Sequence, residues 1–314
     1  MGSLGSLSRL AAGAQGVVYS TPVRLTHLAL PLVFKEYKPQ VISGLDVAVL
    51  EAMPAYLETL PFAEGMELLS QSAWPCRLVE DGGSVSGFVM PAIPDQFFLE
   101  MKTASGLSRR AGEFQHLLND DSFLARRQIP LTDRHRFELV AQVAQGLSVF
   151  HRHRIAVGDL SPKNLLFSIT PDAKAFFIDC DAMRFQGRSV VPQLETPGWE
   201  VRTANPGEEL GTPASDTYKL GLLALRLFAG DQATREVSRL RKGVPAEFRS
   251  LVSRSLSLDP LSRPGVADWI DPSRSAARSA STKVPVAPQP AAPAPAPANR
   301  PVPPASVTVT GVQQ

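Results

Sequence analysis

Apolar residues follow two different rhythms along this chain. As far as Met90 they alternate with polar residues in short runs broken by glycine and proline. That is the pattern of strands with one buried face. It predicts strands over Leu10 to Ser20, Ala29 to Tyr37, Trp74 to Glu80 and Ser84 to Met90. Between the second and third, residues 44–60 carry a helical pattern, with Pro54 expected to kink it or divide it in two. From Thr132 the period lengthens. Thr132 and Asp133 read as an N-cap, and Phe137, Val140, Ala144, Leu147 and His151 recur on one helical face. Leu220 to Phe228 is apolar nearly all round, which predicts a helix inside a core. Strands with one helix, then a helical bundle, predict an α+β protein of two lobes: an N-terminal antiparallel sheet and a mainly helical C-terminal part, with a ligand cleft between them.

Residues 272–314 are different material. Their proline- and alanine-rich run has almost nothing to bury, which predicts a disordered or polyproline II segment. It reads as a linker to another module in preference to a ligand for an aromatic-lined groove. The folded domain is therefore expected over 8–271, with the N-lobe at about 8–93 and the C-lobe at about 94–271.

Composition narrows the partners. The chain has 314 residues and a formal charge of +2, so bulk electrostatic binding of nucleic acid is not indicated. All acids lie at or before Asp271, and Arg274, Arg278, Lys283 and Arg300 make the end basic. The two cysteines, Cys76 and Cys180, form no C-x-x-C pair, which argues against a disulfide framework or a zinc site and fits a reducing cytoplasmic compartment. No apolar run approaches the ~20 residues that span a bilayer. The N-terminus lacks a secretory signal pattern. Residues 1–6 match the loose N-myristoylation pattern, but a Gly/Ser-rich lead-in to the first strand gives the same letters and is the preferred reading.

The candidate chemistry is concentrated in two segments. Residues 157–167 read V-G-D-L-S-P-K-N-L-L-F and residues 177–181 read F-I-D-C-D. Asp159 can orient a hydroxyl and accept its proton, while Asn164 and Asp179 offer hard oxygen ligands to Mg²⁺. Upstream, L-A-A-G-A-Q-G-V-V-Y carries Gly13 and Gly16, which let a hairpin backbone approach phosphates, and Val18, which can cover an adenine ring. Lys35 interrupts the apolar run L-V-F-K-E-Y. It is either an edge-strand lysine in solvent or a phosphate-binding lysine, and the glycine loop before it favours the second. Such a lysine needs a carboxylate, with Glu51 the first choice and Glu58 the second. The histidines at 27, 116, 135, 151 and 153 read as surface or packing residues.

In this order the segments resemble landmarks of the protein kinase superfamily: G-x-G-x-x-G-x-V, the strand lysine, H-R-D-L-x-x-x-N and D-F-G. Downstream, Thr196-Pro197-Gly198-Trp199, Ser215 to Gly221 and Leu256 to Pro264 resemble T-P-G-Y, S-D-x-W-S-L-G and L-x-x-D-P-x-x-R-P. The resemblance covers roughly residues 8 to 271. It implies ATP and Mg²⁺ as cofactors, with Val33 beside the adenine, Met90 gating the back of its pocket, the Ile93 amide facing it and Leu166 as its floor. It implies that Asp216 holds the catalytic-loop backbone and that Arg263 is a structural support. Ser161 replaces the usual lysine, and Lys163, where tyrosine kinases carry an arginine, can serve the γ-phosphate instead.

Several departures qualify the resemblance. Ala11 stands at the first glycine. Val157 and Gly158 replace His-Arg and remove the usual partner of a phosphorylated activation loop. Asp181 replaces the D-F-G glycine, and residues 201–203 read V-R-T where A-P-E is expected. The expectation is a divergent, bacterial-type Mg²⁺/ATP-dependent serine/threonine protein kinase acting on a protein substrate. The alternatives are a pseudokinase and a small-molecule phosphotransferase, since G-D-L and I-D-C-D also resemble aminoglycoside phosphotransferases.

Overall fold

The computed structural model describes residues 4–26 and 28–285; residues 1–3, His27 and the proline-rich run from residue 286 lie outside it. The first expected strand is a hairpin, β1 (Ser8–Ala12) and β2 (Gly16–Ser20), closed by the Gly13 amide donating to the Gly16 carbonyl at 2.9 Å. The next strand, β3 (Leu32–Tyr37), starts after Pro31, which has no N–H for a ladder.

Between β3 and the next strand lie three helices, α1 (Pro39–Ile42), α2 (Val47–Thr59) and α3 (Phe62–Ser70), and the helix expected over 44–60 is α2. Pro54 sits buried inside α2 without ending it. The break comes at Leu60, extended at φ −74° and ψ 145°, as a residue before proline prefers. Strands β4 (Arg77–Asp81) and β5 (Ser84–Pro91) complete a five-stranded antiparallel sheet in the order β1-β2-β3-β5-β4. Trp74 precedes β4 as a fully buried side chain, its indole donating to the Met53 carbonyl of α2 at 3.1 Å.

A hairpin of β6 (Phe98–Thr103) and β7 (Gly106–Ala111) follows, then α4 (Asp121–Arg127) and α5 (Asp133–Arg152). Thr132 caps α5 by accepting from the His135 amide at 3.1 Å. Short strands β8 (Ile155–Ala156), β9 (Leu165–Ser168), β10 (Lys174–Phe177), β11 (Arg184–Phe185) and β12 (Arg188–Ser189) carry the loops of the site. The bundle ends with α6 (Pro213–Ala229), α7 (Ala246–Ser255) and α8 (Ile270–Ser279). Its core joins Phe137, Phe228, Phe248 and Trp269, whose ring centroids lie 4.4 to 5.4 Å apart in successive pairs. The result is an antiparallel sheet lobe and a helical lobe. They meet where the Tyr56 hydroxyl of α2 bonds His153 at 2.8 Å and the Ala73 amide donates to the Phe177 carbonyl at 2.9 Å.

The domain boundary expected at residue 271 moves outward. Pro272 lies in the first turn of α8, where a proline is tolerated, and the helix packs along α5 through buried Ser273, Ala276 and Ala277. In the sequence alone, these small residues that let two helices approach closely resemble low-complexity tail. Among the described residues no helix is long and apolar enough to cross a membrane.

Ending the chain at Asp271 removes α8 and uncovers one side of α5. It is expected to lower the melting temperature by at least ~3 °C relative to a chain ending at residue 285, roughly the effect of 1 kcal/mol in a domain of this size. Equal melting curves in differential scanning calorimetry would contradict this packing role.

Candidate active site

Lys35 sits on β3 opposite Val18 of β2 and Phe88 of β5, so it lies in the middle of a sheet and not at its edge. It is 4 % exposed, and an ammonium that deep needs carboxylates. Its Nζ donates to both oxygens of Asp181, at 2.7 and 2.9 Å, and to Asp179 Oδ1 at 3.3 Å. The Gln15 side chain accepts a further bond at 3.3 Å. Burial alone would favour the neutral amine; the two carboxylates outweigh it and hold the pKa above the usual lysine value.

The expected partner is Glu51, with Glu58 second, and neither takes part. Both are exposed on α2. The acid instead comes from the D-C-D segment, where Asp181 is 1 % exposed in a 3₁₀ turn over Cys180–Ala182. Tyr37, not anticipated from the sequence, donates its hydroxyl to Asp181 Oδ2 at 2.8 Å, and burial followed by Asp181 pushes its pKa up. The left-handed residue in the segment is Asp179, at φ 55°, and not the Asp181 that replaces glycine.

Gly16 has a packing reason. A Cβ there would come 2.3 Å from the Glu36 carbonyl of β3, whereas a Cβ on Gly13 meets nothing within 4 Å. Of the two loop glycines, only Gly13 has room for a side chain. Val33 pairs with Met90 across β3 and β5, and both side chains are buried. Leu166 of β9 is fully buried, and its backbone is bridged to Glu113. The Ile93 amide has no hydrogen-bond partner among the described residues.

Asp159 lies in the loop after β8. Asn164 Nδ2 donates to its Oδ2 at 3.0 Å, and the Thr196 hydroxyl sits 2.9 and 3.0 Å from its two oxygens. The Ile178 amide donates to the Asn164 carbonyl at 3.0 Å, which ties this loop to the residue beside Asp179. With Nδ2 committed, Asn164 keeps Oδ1 for a cation, and the Asp179 side chain is half exposed. Among the described residues no three His, Cys, Asp or Glu side chains gather as metal ligands. The donor set nevertheless fits Mg²⁺, which is commonly held by one or two protein oxygens plus nucleotide phosphates and water. Lys163 is exposed on the same loop.

The loop is supported from α6. Asp216, fully buried, accepts from the Val157 and Gly158 amides at 2.8 Å each. His151 Nε2 lies 3.0 Å from its Oδ2, so of the surface and packing roles expected for the histidines this one takes the packing role, in the loop's support. Lys219, 1 % exposed, donates to the Gly158 carbonyl at 2.8 Å and pairs with Glu195 at 3.0 Å, linking the loop to the segment that carries Thr196. Arg263 pairs with Glu208 through both carboxylate oxygens. Three of these residues carry a signal in the sequence. Glu208 closes N-P-G-E just past the absent A-P-E, Lys219 stands at the serine of S-D-x-W-S-L-G, and Asp181 is the second acid of D-C-D.

No family model matches the sequence. Among solved structures the chain is similar to a point mutant of the Mycobacterium tuberculosis PknI kinase domain, with a TM-score of 0.56 and 17 % identity, over 88 % of this chain and 98 % of that one. The fold is protein kinase-like: a sheet lobe carrying a buried lysine, and a helical lobe carrying the Asp159 and Asp179 loops.

Asp181→Ala strips Lys35 of its closest counter-charge and is expected to cost about 3 kcal/mol of unfolding free energy. Glu51→Gln is expected to stay within about 0.5 kcal/mol. Urea titration of both variants checks the assignment, and a reversed order contradicts it. In the glycine loop, Gly16→Ala is expected to destabilise by about 1–3 kcal/mol through the Glu36 clash, and Gly13→Ala by less. Equal midpoints for the two would remove the packing reason given for Gly16.

Proposed function

We propose that this chain is a Mg²⁺/ATP-dependent protein kinase that transfers the γ-phosphate to serine or threonine hydroxyls, in a reducing, cytoplasmic, bacterial setting. One observation carries the reading. The Asp159 carboxylate already holds a hydroxyl, that of Thr196, within hydrogen-bond reach. An incoming hydroxyl that displaces Thr196 meets the same oxygens, and Asp159 orients it and takes its proton.

Lys35 Nζ, aimed between β3 and Asp179, holds nucleotide phosphate oxygens, and Asp181 keeps it there. Asn164 Oδ1 and Asp179 hold the metal. When bound, Mg²⁺ neutralises phosphate charge. Val18, Val33, Met90 and Leu166 enclose the base, whose edge faces the Ile93 amide; Gly13 faces the phosphates. Lys163, beside Asn164, is assigned to the transferred phosphate. Asp216 holds the amides of residues 157 and 158, so Asp159 keeps its orientation although the His-Arg pair is absent. The work of the site is positioning and charge stabilisation.

A second reading, a nucleotide-binding pseudokinase, is favoured by the saturation of Lys35. Two carboxylates and an amide occupy its ammonium, and phosphates must exchange with them. The long segment from Thr196 to Glu208, anchored by Arg263, speaks for a polypeptide acceptor over a small molecule.

Two substitutions separate the roles. Asp179→Asn is expected to weaken Mg²⁺-dependent ATP binding and to abolish transfer. Asp159→Asn is expected to abolish transfer while leaving nucleotide affinity within about threefold, under ~1 kcal/mol. A fluorescent ATP analogue titrated with and without Mg²⁺, beside a phosphate-incorporation assay, reads both. Parental transfer by Asp159→Asn overturns the mechanism. ATP binding by the parent with no transfer to any protein puts the pseudokinase reading first.

A further inference from the structure

A cavity of about 500 Å³ opens beside the Thr196 segment, walled by Pro197 to Glu200 and floored by Arg226 of α6, with Arg202 and Arg235 at its sides. Arg226 is the unusual member. It is 2 % exposed, in the middle of the apolar run of α6. Its Nε donates to the Thr234 carbonyl at 3.2 Å and its Nη2 to the Gly198 carbonyl at 2.7 Å, and its guanidinium lies 4.5 Å from the Trp199 ring centre. These contacts orient the group, but none carries a negative charge, and Nη1 has no hydrogen-bond partner among the described residues. Burial, and then the nearby Arg235, push its pKa down to about 10, against the pull of Asp231 and Glu200. Arg235 is better answered, by the half-exposed Glu200 at 3.0 Å and by the Tyr218 hydroxyl at 3.0 Å. Three guanidinium groups therefore face one cavity whose walls supply a single carboxylate.

Location gives this charge a use. Thr196, whose hydroxyl lies on Asp159, immediately precedes the wall. At ~3.8 Å between consecutive Cα atoms, the wall stands on the order of 10 Å from Asp159. An extended peptide covers that distance in about three residues. Resting on the reading of this chain as a protein kinase, we infer that the cavity selects substrates, taking the carboxylate of an aspartate or glutamate that lies within about three residues of the hydroxyl to be phosphorylated. A carboxylate meets the unpartnered Nη1 of Arg226 and the guanidinium of Arg235 as a planar, two-oxygen acceptor matched to guanidinium geometry. A basic residue there meets three like charges and is rejected.

Binding can be measured without transfer. Fluorescein-labelled peptides with a central serine carry flanking aspartates, alanines, arginines or phosphoserines, and anisotropy gives each Kd with the full chain. The aspartate peptide is expected to bind at least ~10-fold more tightly than the alanine peptide, about 1.4 kcal/mol, and the arginine peptide most weakly. Arg202→Gln combined with Arg235→Gln, both near the surface, should reduce the aspartate advantage to under about threefold. Arg226→Gln should do the same, with Arg226→Lys restoring part of it and melting temperatures checking the fold. Equal binding of aspartate and alanine peptides, an advantage that survives in the double variant, or tight binding of the phosphoserine peptide alone overturns the inference. Phosphate transfer to the same peptides is scored separately. Transfer without acidic preference defeats the cavity's role and leaves the kinase reading standing. Acid-selective binding without any transfer supports the cavity and defeats the kinase reading.

Discussion

A buried ammonium must be answered by negative charge within hydrogen-bond reach, and the architecture around Lys35 follows from that requirement. Moving an amine of this kind out of water costs several kcal/mol unless a carboxylate receives it. Here the acid is Asp181, on the loop that follows β10, and it is itself fixed by Tyr37 from the same strand as the lysine. The ion pair therefore joins the sheet lobe directly to the segment that carries Asp179. In doing so it sets the distance between β3 and the loop that carries Asp179. Helix α2, which carries the expected acid Glu51, is relieved of that task. Its contacts across the lobes include the Tyr56 hydroxyl on His153, the Tyr56 ring on Phe185, and the Asp46 cap, which meets Val190 and Arg188.

A second buried lysine solves a parallel problem in the helical lobe. Lys219 joins the Gly158 carbonyl to Glu195, one residue before the Thr196 that covers Asp159. Asp216 holds the two amides before Asp159, and His151 braces Asp216. Together these contacts fix the loop with groups built into the chain. Glu195 supplies the carboxylate that the buried Lys219 requires. No arginine stands at position 158, where Gly158 adopts φ 69° and brings its backbone against the Gln193 side chain.

The two-lobed architecture is legible from periodicity alone, because alternation and the 3.6-residue repeat report which face of each element is buried. The positions of Lys35, Asp159, Asn164 and Asp179 are legible as spacing. Their partners are not. Which acid meets Lys35 is a tertiary outcome, and neighbouring helix acids give no reason to look 146 residues downstream to Asp181. Helix α8 escapes the sequence pattern because its buried face is serine and alanine, residues whose small size suits close helix packing but gives no hydrophobic signal. The motif assigns Gly16 to phosphate approach, and the structure adds a reason in strand packing that spacing does not show. Arg226 stands out in the sequence only as a charge in an apolar run, a sign of interest that requires the three-dimensional wall of Trp199 and Arg235 to interpret.

The central claim is that Lys35, paired with Asp181 and not with an acid of α2, turns the donor capacity now held by Gln15 and Asp179 to nucleotide phosphates while Asn164 and Asp179 hold the metal. A crystal structure with Mg²⁺ and a non-hydrolysable ATP analogue tests it most directly. The account predicts metal bound to oxygens of Asn164 and Asp179, phosphate oxygens on Lys35 Nζ, and the Lys35–Asp181 pair kept near 2.7 to 2.9 Å. Metal coordinated elsewhere, or a lysine that leaves Asp181 for Glu51 when nucleotide enters, would contradict it.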